Sequence, residues 1–286
     1  MLTLPQAQTI SQDPLQAGIL RSTYLYNPLL QILPFESIRG GAYVYSRENG
    51  LATGGVTRDI NSDFSEGTSS FTRVTAPLGR LGGVARVDSF VEVTQSTVND
   101  QLAVQVDAKS KAMSFAFQNF FFNGDTTTDA NSFDGLAKLA VGNGRTDSAP
   151  ASVLTLDDLD ALLLHVTQAS AIMVNDKTLL KIQSLARASK LALPTIDMIG
   201  NRVTEYNGVK ILRAGSYGGS TVLVDGEVYA VRLGADGVFG VQANLPSPMV
   251  YEPNSERPAY TVRIDWFAAI ALGTTDSVYH LQRAIA

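Results

Sequence analysis

Three groups of residues have the types and spacing from which a reactive site could be built. Asp157, Asp158 and Asp160 crowd three carboxylates into one stretch, as general acid/base work requires. Asp125, Asp129 and Asp134 lie among Thr126, Thr127, Thr128, Asn131 and Ser132. They offer oxygen ligands for a hard cation, at a spacing unlike a calcium loop. His165 and His280 are the two imidazoles. Each group has a simpler reading. The 157–160 carboxylates follow Thr155-Leu156 in a capping-box arrangement, where acids complement the positive end of a helix. The 125–134 acids suit a turn-rich connection held by side chain to backbone bonds. His165 falls inside a predicted helix, and His280 has no evident partner in the sequence. Gly50–Gly55 lacks the Gly-Lys-Ser/Thr ending of a phosphate loop, and Gly234–Gly237 lacks the third glycine of a dinucleotide fingerprint. There is no Gly-x-Ser-x-Gly elbow. The sequence therefore predicts no catalytic, cofactor-binding or metal site. A carboxylate-based hydrolase is the enzymatic alternative these residues leave open.

Composition narrows the classes further. With 286 residues, 45% of them hydrophobic, the chain can bury one large or two small cores. The absence of cysteine excludes disulfides and thiolate metal sites and fits a reducing compartment. No run of about 18 apolar residues and no basic leader is present, so neither a membrane span nor a signal peptide is expected. A net charge of −5 provides no basic footprint for reading nucleic-acid sequence and leaves only non-specific contact.

The elements that must position any working surface are centred on one long amphipathic helix, Thr97 to Asn123, of about 26 residues or ~39 Å. Leu102, Val106, Met113, Phe117 and Phe120 share an arc opposite Asp100, Asp107, Lys111, Ser114 and Gln118. Val104, Phe115 and Phe122 form a second apolar stripe, to be covered by the same chain or by a neighbouring subunit. Thr97 is the expected N-cap, and Asn123-Gly124 the expected left-handed stop.

Before that helix, residues 1–35 read as an extended arm with a hinge at Ile32 to Phe35, and 36–80 as an excursion. In the excursion Ala42–Tyr45 is a strand, Asn49-Gly50 a turn and Gly54-Gly55 a break. Phe71–Val74 and Val84–Val93 are strands with Gly79, Gly82 and Gly83 between them. After the helix, Thr155 caps a segment with Leu156, Leu159, Leu163 and Val166 on one face, and Ala171–Val174 is a strand buried on both sides. Asn175 caps a helix through Lys190 with Leu179, Ile182 and Ala186 inward, closed by Pro194. Arg202–Arg213 is a hairpin around Asn207-Gly208. Thr221–Val224 and Val228–Val231 are expected to pair across Asp225-Gly226, followed by a strand at Val238–Val241. A final strand, Tyr260–Leu272, is ~43 Å long, which suits it to lie beside the long helix.

This order of elements resembles the major capsid proteins of tailed bacteriophages, whose fold also occurs in encapsulins. The resemblance rests on Phe121-Phe122-Asn123-Gly124-Asp125 closing the long helix, then Phe133-Asp134-Gly135-Leu136. It continues through Ile172-Met173-Val174-Asn175, Tyr206-Asn207-Gly208-Val209, Val222-Leu223-Val224-Asp225 and Arg263-Ile264-Asp265-Trp266. It implies an α+β capsid fold: an N-terminal arm (1–35), an extended β-hairpin loop (36–80), a peripheral domain holding the spine helix (81–150 and 226–272) and an axial domain (151–225 and 273–286). It also implies a non-enzymatic subunit, without cofactors, that self-assembles as pentamers and hexamers. The icosahedral shell would enclose double-stranded DNA in a virion assembled in the host cytoplasm. Separate scaffolding, portal and decoration proteins are further implied partners, and an encapsulin nanocompartment is the nearest alternative. Some relatives cross-link through a lysine on the extended loop. The first lysine here is Lys109, so no such bond is expected from that loop. Assembly is also favoured by the residues themselves, because an arm and a two-stranded loop cannot bury enough surface alone. The contact candidates are Tyr43, Tyr45, Arg47 and Arg58 on the loop, Phe115 on the helix, and Arg21 and Arg39 on the arm and its junction.

Overall fold

The computed structural model describes residues 27–50, 57–64, 66–90, 101–198, 201–217, 219–252 and 258–285. Most of the arm with Arg21, the Thr97 cap, Asp100, the Leu102 side chain, the Gly54-Gly55 break and the end of the Val84–Val93 strand fall outside these residues.

The long C-terminal strand organises the first sheet. β15 (Ala259–Leu272) runs antiparallel to β4 (Gly79–Asp88) from Ala259 opposite Asp88 to Ala268 opposite Gly79. Its other edge pairs first with β14 (Ser247–Tyr251) and then with β13 (Val238–Gln242), to which β1 (Phe35–Ser37) adds in parallel. Val262, Ile264, Trp266 and Ala268 alternate inward with Leu81, Ala85 and Val87 of β4. Against that face lies the long helix, preceded in the chain by the short α1 (Pro28–Ile32). This α2 (Gln101–Asn123) buries Val106, Met113, Phe117 and Phe121. The Phe117 ring lies 4.7 Å from Trp266, 5.6 Å from Phe133 and 5.9 Å from Phe35. Helix and strand therefore lie side by side, as their matched lengths suggested.

The polar arc of α2 is narrower than its sequence suggests. Ser114 and Gln118, expected in solvent, are buried. Asn27 Nδ2 donates to the Ser114 carbonyl at 3.3 Å, and Gln118 Oε1 accepts the Gly215 N–H at 3.1 Å. Segments before and well after the helix in the chain thus cover this side, and the Gly215 N–H gives the buried Gln118 oxygen a partner. Asp107 and Lys111 stay at the surface as an ion pair at 2.6 Å. The second apolar stripe divides: Phe122 is core, Phe115 is half-buried beside Gly215, and Val104 is exposed.

Gly124 ends α2 for a different reason from the one expected. Its φ is not positive. A Cβ there would lie 2.1 Å from the Phe133 carbonyl oxygen and 2.5 Å from that of Phe120. The close approach lets the Gly135 N–H donate to the Gly124 carbonyl at 2.8 Å, which ties the helix end to α3 (Leu136–Gly142). Likewise Ile32–Phe35 is no hinge, because Leu33 and Phe35 are buried in the main core with Leu29 and Leu30.

A second sheet has the order β5 (Thr146–Val153), β16 (Val278–Ala284), β12 (Glu227–Val231), β6 (Ala171–Val174), β9 (Val209–Arg213), β8 (Asn201–Tyr206) and β7 (Thr195–Met198). β6 is buried on both faces. Ala171 and Met173 join the core that holds α2, while Ile172 and Val174 join a second core under α4 (Leu156–Leu164) and α5 (Asp176–Ala188). Both caps form as expected. Thr155 and Asp158 make a reciprocal capping box, and Asn175 Oδ1 accepts the Thr178 N–H at 2.7 Å. Leu162 is buried with Leu159, while Leu156 and Leu163 pack partly buried against the same core, and His165 is the C-cap of α4 rather than mid-helix. α5 ends at Ala188, with Lys190 left-handed at φ 55°.

The β8/β9 hairpin turns through Asn207 (φ 48°) and Gly208 (φ 78°), the two left-handed residues a type I′ turn needs. The expected pairing across Asp225-Gly226 does not form. β12 pairs with β6 and β16 instead, and Val222 and Leu223 are buried in a loop. Lys177 and Asn175 each donate to Asp225 at 2.7 Å, and Asn175 Nδ2 also reaches the Leu223 carbonyl at 3.3 Å. The start of α5 thereby captures this segment. A two-residue ladder joins β10 (Ser216–Tyr217) to β11 (Ser220–Thr221).

The excursion is a two-stranded ladder of β2 (Ala42–Gly50) and β3 (Ser70–Pro77). Asn49-Gly50 is not its turn but the irregular end of β2. Only Leu78 separates β3 from β4, and the glycines expected between strands lie within β4. A Cβ on Gly82 would meet the Ile264 carbonyl oxygen at 2.6 Å, so the pairing with β15 demands glycine there.

Gly124→Ala should therefore destabilise the subunit by more than about 2 kcal/mol, the cost of a backbone clash in a packed core. Thermal unfolding measures it. An unchanged melting temperature would contradict the account of the helix end.

Candidate assembly surfaces

The acidic and imidazole groups singled out in the sequence are engaged in structure. Lys138 Nζ lies between Asp125 Oδ1 (2.7 Å) and Asp134 Oδ1 (2.8 Å). Thr127 and Thr126 donate to the same two oxygens, and the Asn131 N–H donates to Asp129. Bonding from Lys138 and Thr127 holds the Asp125 carboxyl well below the usual carboxylate range. Burial pushes Asp134 up, but bonds from Lys138 and Thr126 outweigh it. This is the turn-stabilising arrangement, with a lysine placed where a cation would sit.

Asp158 and Asp147 both bind Arg283, at 3.1 and 2.5 Å, and Asp160 accepts from the Tyr206 hydroxyl at 2.7 Å. Burial and the Asp160 hydrogen bond raise the Tyr206 pKa far above its usual value. His280 does have partners. It bonds Thr146 Oγ1 through Nδ1 at 3.0 Å and stacks on Tyr229, while Nε2 lies 3.6 Å from Glu227. His165 stacks on Tyr279 at 4.2 Å. Among the described residues no group of His, Cys, Asp or Glu could hold a metal ion.

The surfaces are more informative. The root of the β2/β3 hairpin is fastened to its own subunit. Tyr43 packs edge-on against Phe239 and stacks on Tyr45 at 5.5 Å. The Tyr45 hydroxyl accepts the Leu272 N–H at 3.1 Å, and Arg47 Nη2 donates to Asn143 Oδ1 at 3.0 Å. Burial and the neighbouring Glu36 raise the Tyr43 pKa.

Beyond Arg47 the hairpin has little to lean on. Arg58 lies over the Phe64 ring and bonds the Ser62 carbonyl, leaving Ile60 91%, Phe64 62% and Phe71 65% exposed. Arg39 is exposed at the base. Sequence reasoning missed Ile60 and Phe64, although Asp59-Ile60 and Asp63-Phe64 set single apolar residues among loop-forming polar ones. It also missed the pairing of Arg283 with Asp147 and Asp158, which no local spacing could reveal.

No protein-family model and no curated protein sequence matches the chain. Solved structures do. The encapsulin of the holo-SrpI complex from Synechococcus elongatus aligns over 99% of this chain and 91% of its own, with TM-score 0.67 and 18% identity. The capsid of an empty GTA particle aligns over 91% and 90%, with TM-score 0.67 and 15% identity. The chain has the capsid and encapsulin shell fold. A Microbacterium phage structure, Oxtober96, shares it with TM-score 0.65 and 14% identity over 89% and 90%.

The Arg283 network makes a pH prediction. Hydrogen bonding from Arg283 lowers the Asp147 pKa. At Asp158 burial acts upward, and bonds from Thr155 and Arg283 prevail. Both carboxylates therefore stabilise the fold above the unfolded carboxylate pKa of about 4, and this is lost as pH falls through the lower folded values. Arg283→Gln should cost roughly 2–3 kcal/mol at pH 7, below the fully buried range because Asp147 is half-exposed. Melting curves should show that deficit shrinking below about pH 4. A deficit independent of pH would contradict the assignment.

Proposed function

We propose that the chain is the subunit of a closed icosahedral shell built from pentamers and hexamers, and specifically the major capsid protein of a tailed phage. The shell encloses double-stranded DNA without reading its sequence, within a virion assembled in the host cytoplasm. Scaffolding, portal and decoration proteins are its further partners, and its role is structural rather than catalytic.

The observation that carries the reading is the hairpin. Among the described residues, Ile60, Phe64 and Phe71 stand out from a two-stranded ribbon that is fastened to the body at its root by Tyr43, Tyr45 and Arg47. Exposed apolar clusters of this kind mark partner surfaces, and a repeated copy is the partner a shell supplies. Arg39, Arg58 and Phe115 are proposed to touch neighbouring subunits directly. Tyr43, Tyr45 and Arg47 are proposed to serve contact by fixing the angle at which the hairpin leaves the body. Sheet membership supports the division into peripheral and axial units in part. The β15 sheet with α2 suits the peripheral unit and the seven-stranded sheet with α4 and α5 the axial one, but β12 (Glu227–Val231) and most of β5 (Thr146–Val153), within the ranges 226–272 and 81–150, join the seven-stranded sheet. A nanocompartment shell is the second reading, favoured by the 99% coverage of the chain in the encapsulin alignment.

Size-exclusion chromatography and electron microscopy of the expressed chain should show megadalton closed particles. Nucleic acid inside decides for a phage capsid, and a protein cargo for an encapsulin. The double variant Ile60→Asp, Phe64→Asp should remain folded with a wild-type melting temperature while failing to assemble. A wild-type chain that stays monomeric at high concentration would overturn the proposal.

A further inference from the structure

The unit built on the seven-stranded sheet carries two apolar features that the described residues leave uncovered. The last turn of α4 lies against β16. The His165 ring stacks on Tyr279, and Arg145, next to β5, donates to the His165 carbonyl at 3.2 Å. These contacts hold Leu164 outward, 85% exposed. Asp157, Asp160 and Ala161 precede it at helical spacing and are exposed as well, so Leu164 ends an acidic ridge.

Separately, α5 and strands β7 and β8 border a groove of about 330 Å³ lined by Ala186, Arg187, Leu191, Leu193, Thr195 and Thr204. The groove follows from how α5 stops. Lys190 turns left-handed, and the Leu191 N–H bonds the Ala186 carbonyl at 2.9 Å. The chain therefore doubles back and holds Leu191 beside the helix, 43% exposed. Arg187 forms part of the wall, and the exposed Lys190 immediately precedes the lining residue Leu191, so the opening has cationic side chains beside it.

We propose that this groove receives Leu164 of a second copy, linking the seven-stranded sheets of successive subunits head to tail. The inference rests on the shell proposal and names one of its contacts. A leucine projecting from α4 and a groove between α5 and the β7/β8 strands are different surfaces, so the contact is heterologous. Repetition of such a contact closes a ring when the rotation per subunit permits. The acidic ridge meets these cationic side chains, which orients the approach and rejects the reversed pairing of ridge with ridge.

The chain contains no cysteine, so the contact can be trapped. In the double variant Leu164→Cys, Leu191→Cys a bond within one subunit leaves it a monomer on the gel, so every rung reports a bond between subunits. Oxidised particles of this variant should give a ladder on non-reducing denaturing gels ending at five or six rungs, and each single variant none. Particles that form without a ladder, or with dimers alone, overturn the contact and leave the shell proposal standing. A wild-type chain that never assembles overturns the shell proposal and this contact with it. Leu164→Glu provides the second arm. Folded monomers with the wild-type melting temperature are expected, and assembly at wild-type yield overturns the inference.

Discussion

The packing of Phe117 among Trp266, Phe133 and Phe35 is the contact on which the rest of the subunit depends. The four rings come from the segment entering β1, the long helix, the turn after it and the longest strand. No two of them are local in sequence except the pair at the helix end. Their burial therefore closes nearly the whole chain into one core, and each ring removes a large apolar area from water. Trp266 can be fully buried there because its indole N–H donates to Gln242 Oε1 at 3.1 Å.

The same core reaches the second sheet through Phe122, whose ring lies 5.4 Å from Tyr229, and through Met173 and Val231. Both sheets thus share one hydrophobic centre, and α4 and α5 close the far face of the second. What this arrangement cannot cover is the hairpin. A two-stranded ribbon has no second layer of its own, and the cluster of Phe239, Val241 and Ala271 covers only the side of its root that carries Tyr43 and Tyr45. The physical division is between a body that is complete in one copy and an outgrowth that is not.

Much of this was legible in the sequence where the signal was local. Thr155 followed by Asp158, Asn175 before a Leu-rich run and Asn207-Gly208 between alternating apolar residues each specify a cap or turn through their own atoms, and each forms. The failures share the opposite property. Ser114 and Gln118 look solvent-facing by periodicity, but groups distant in the chain cover them, the Asn27 side chain bonding the Ser114 carbonyl and the Gly215 N–H bonding Gln118 Oε1. Val222–Val224 looks like a strand, but Asn175 and Lys177 hold it to the start of α5. Gly124 looks like a left-handed stop, whereas the Phe133 carbonyl explains it. Long-range contacts decide these places, and no window of sequence contains them. For the assembly surfaces, the resemblance located the ribbon. The side chains that stand free on it, Ile60 and Phe64, became visible only when the packing showed what else had found cover.

The central claim is that the body is finished within one copy while the ribbon is finished by its neighbours. Amide hydrogen exchange compared between assembled particles and dissociated subunits tests this directly. The account predicts strong protection of α2 and β15 in both states, and protection of the β2/β3 amides beyond Arg47 only in the particle. Equal protection of the ribbon in the isolated subunit would contradict it.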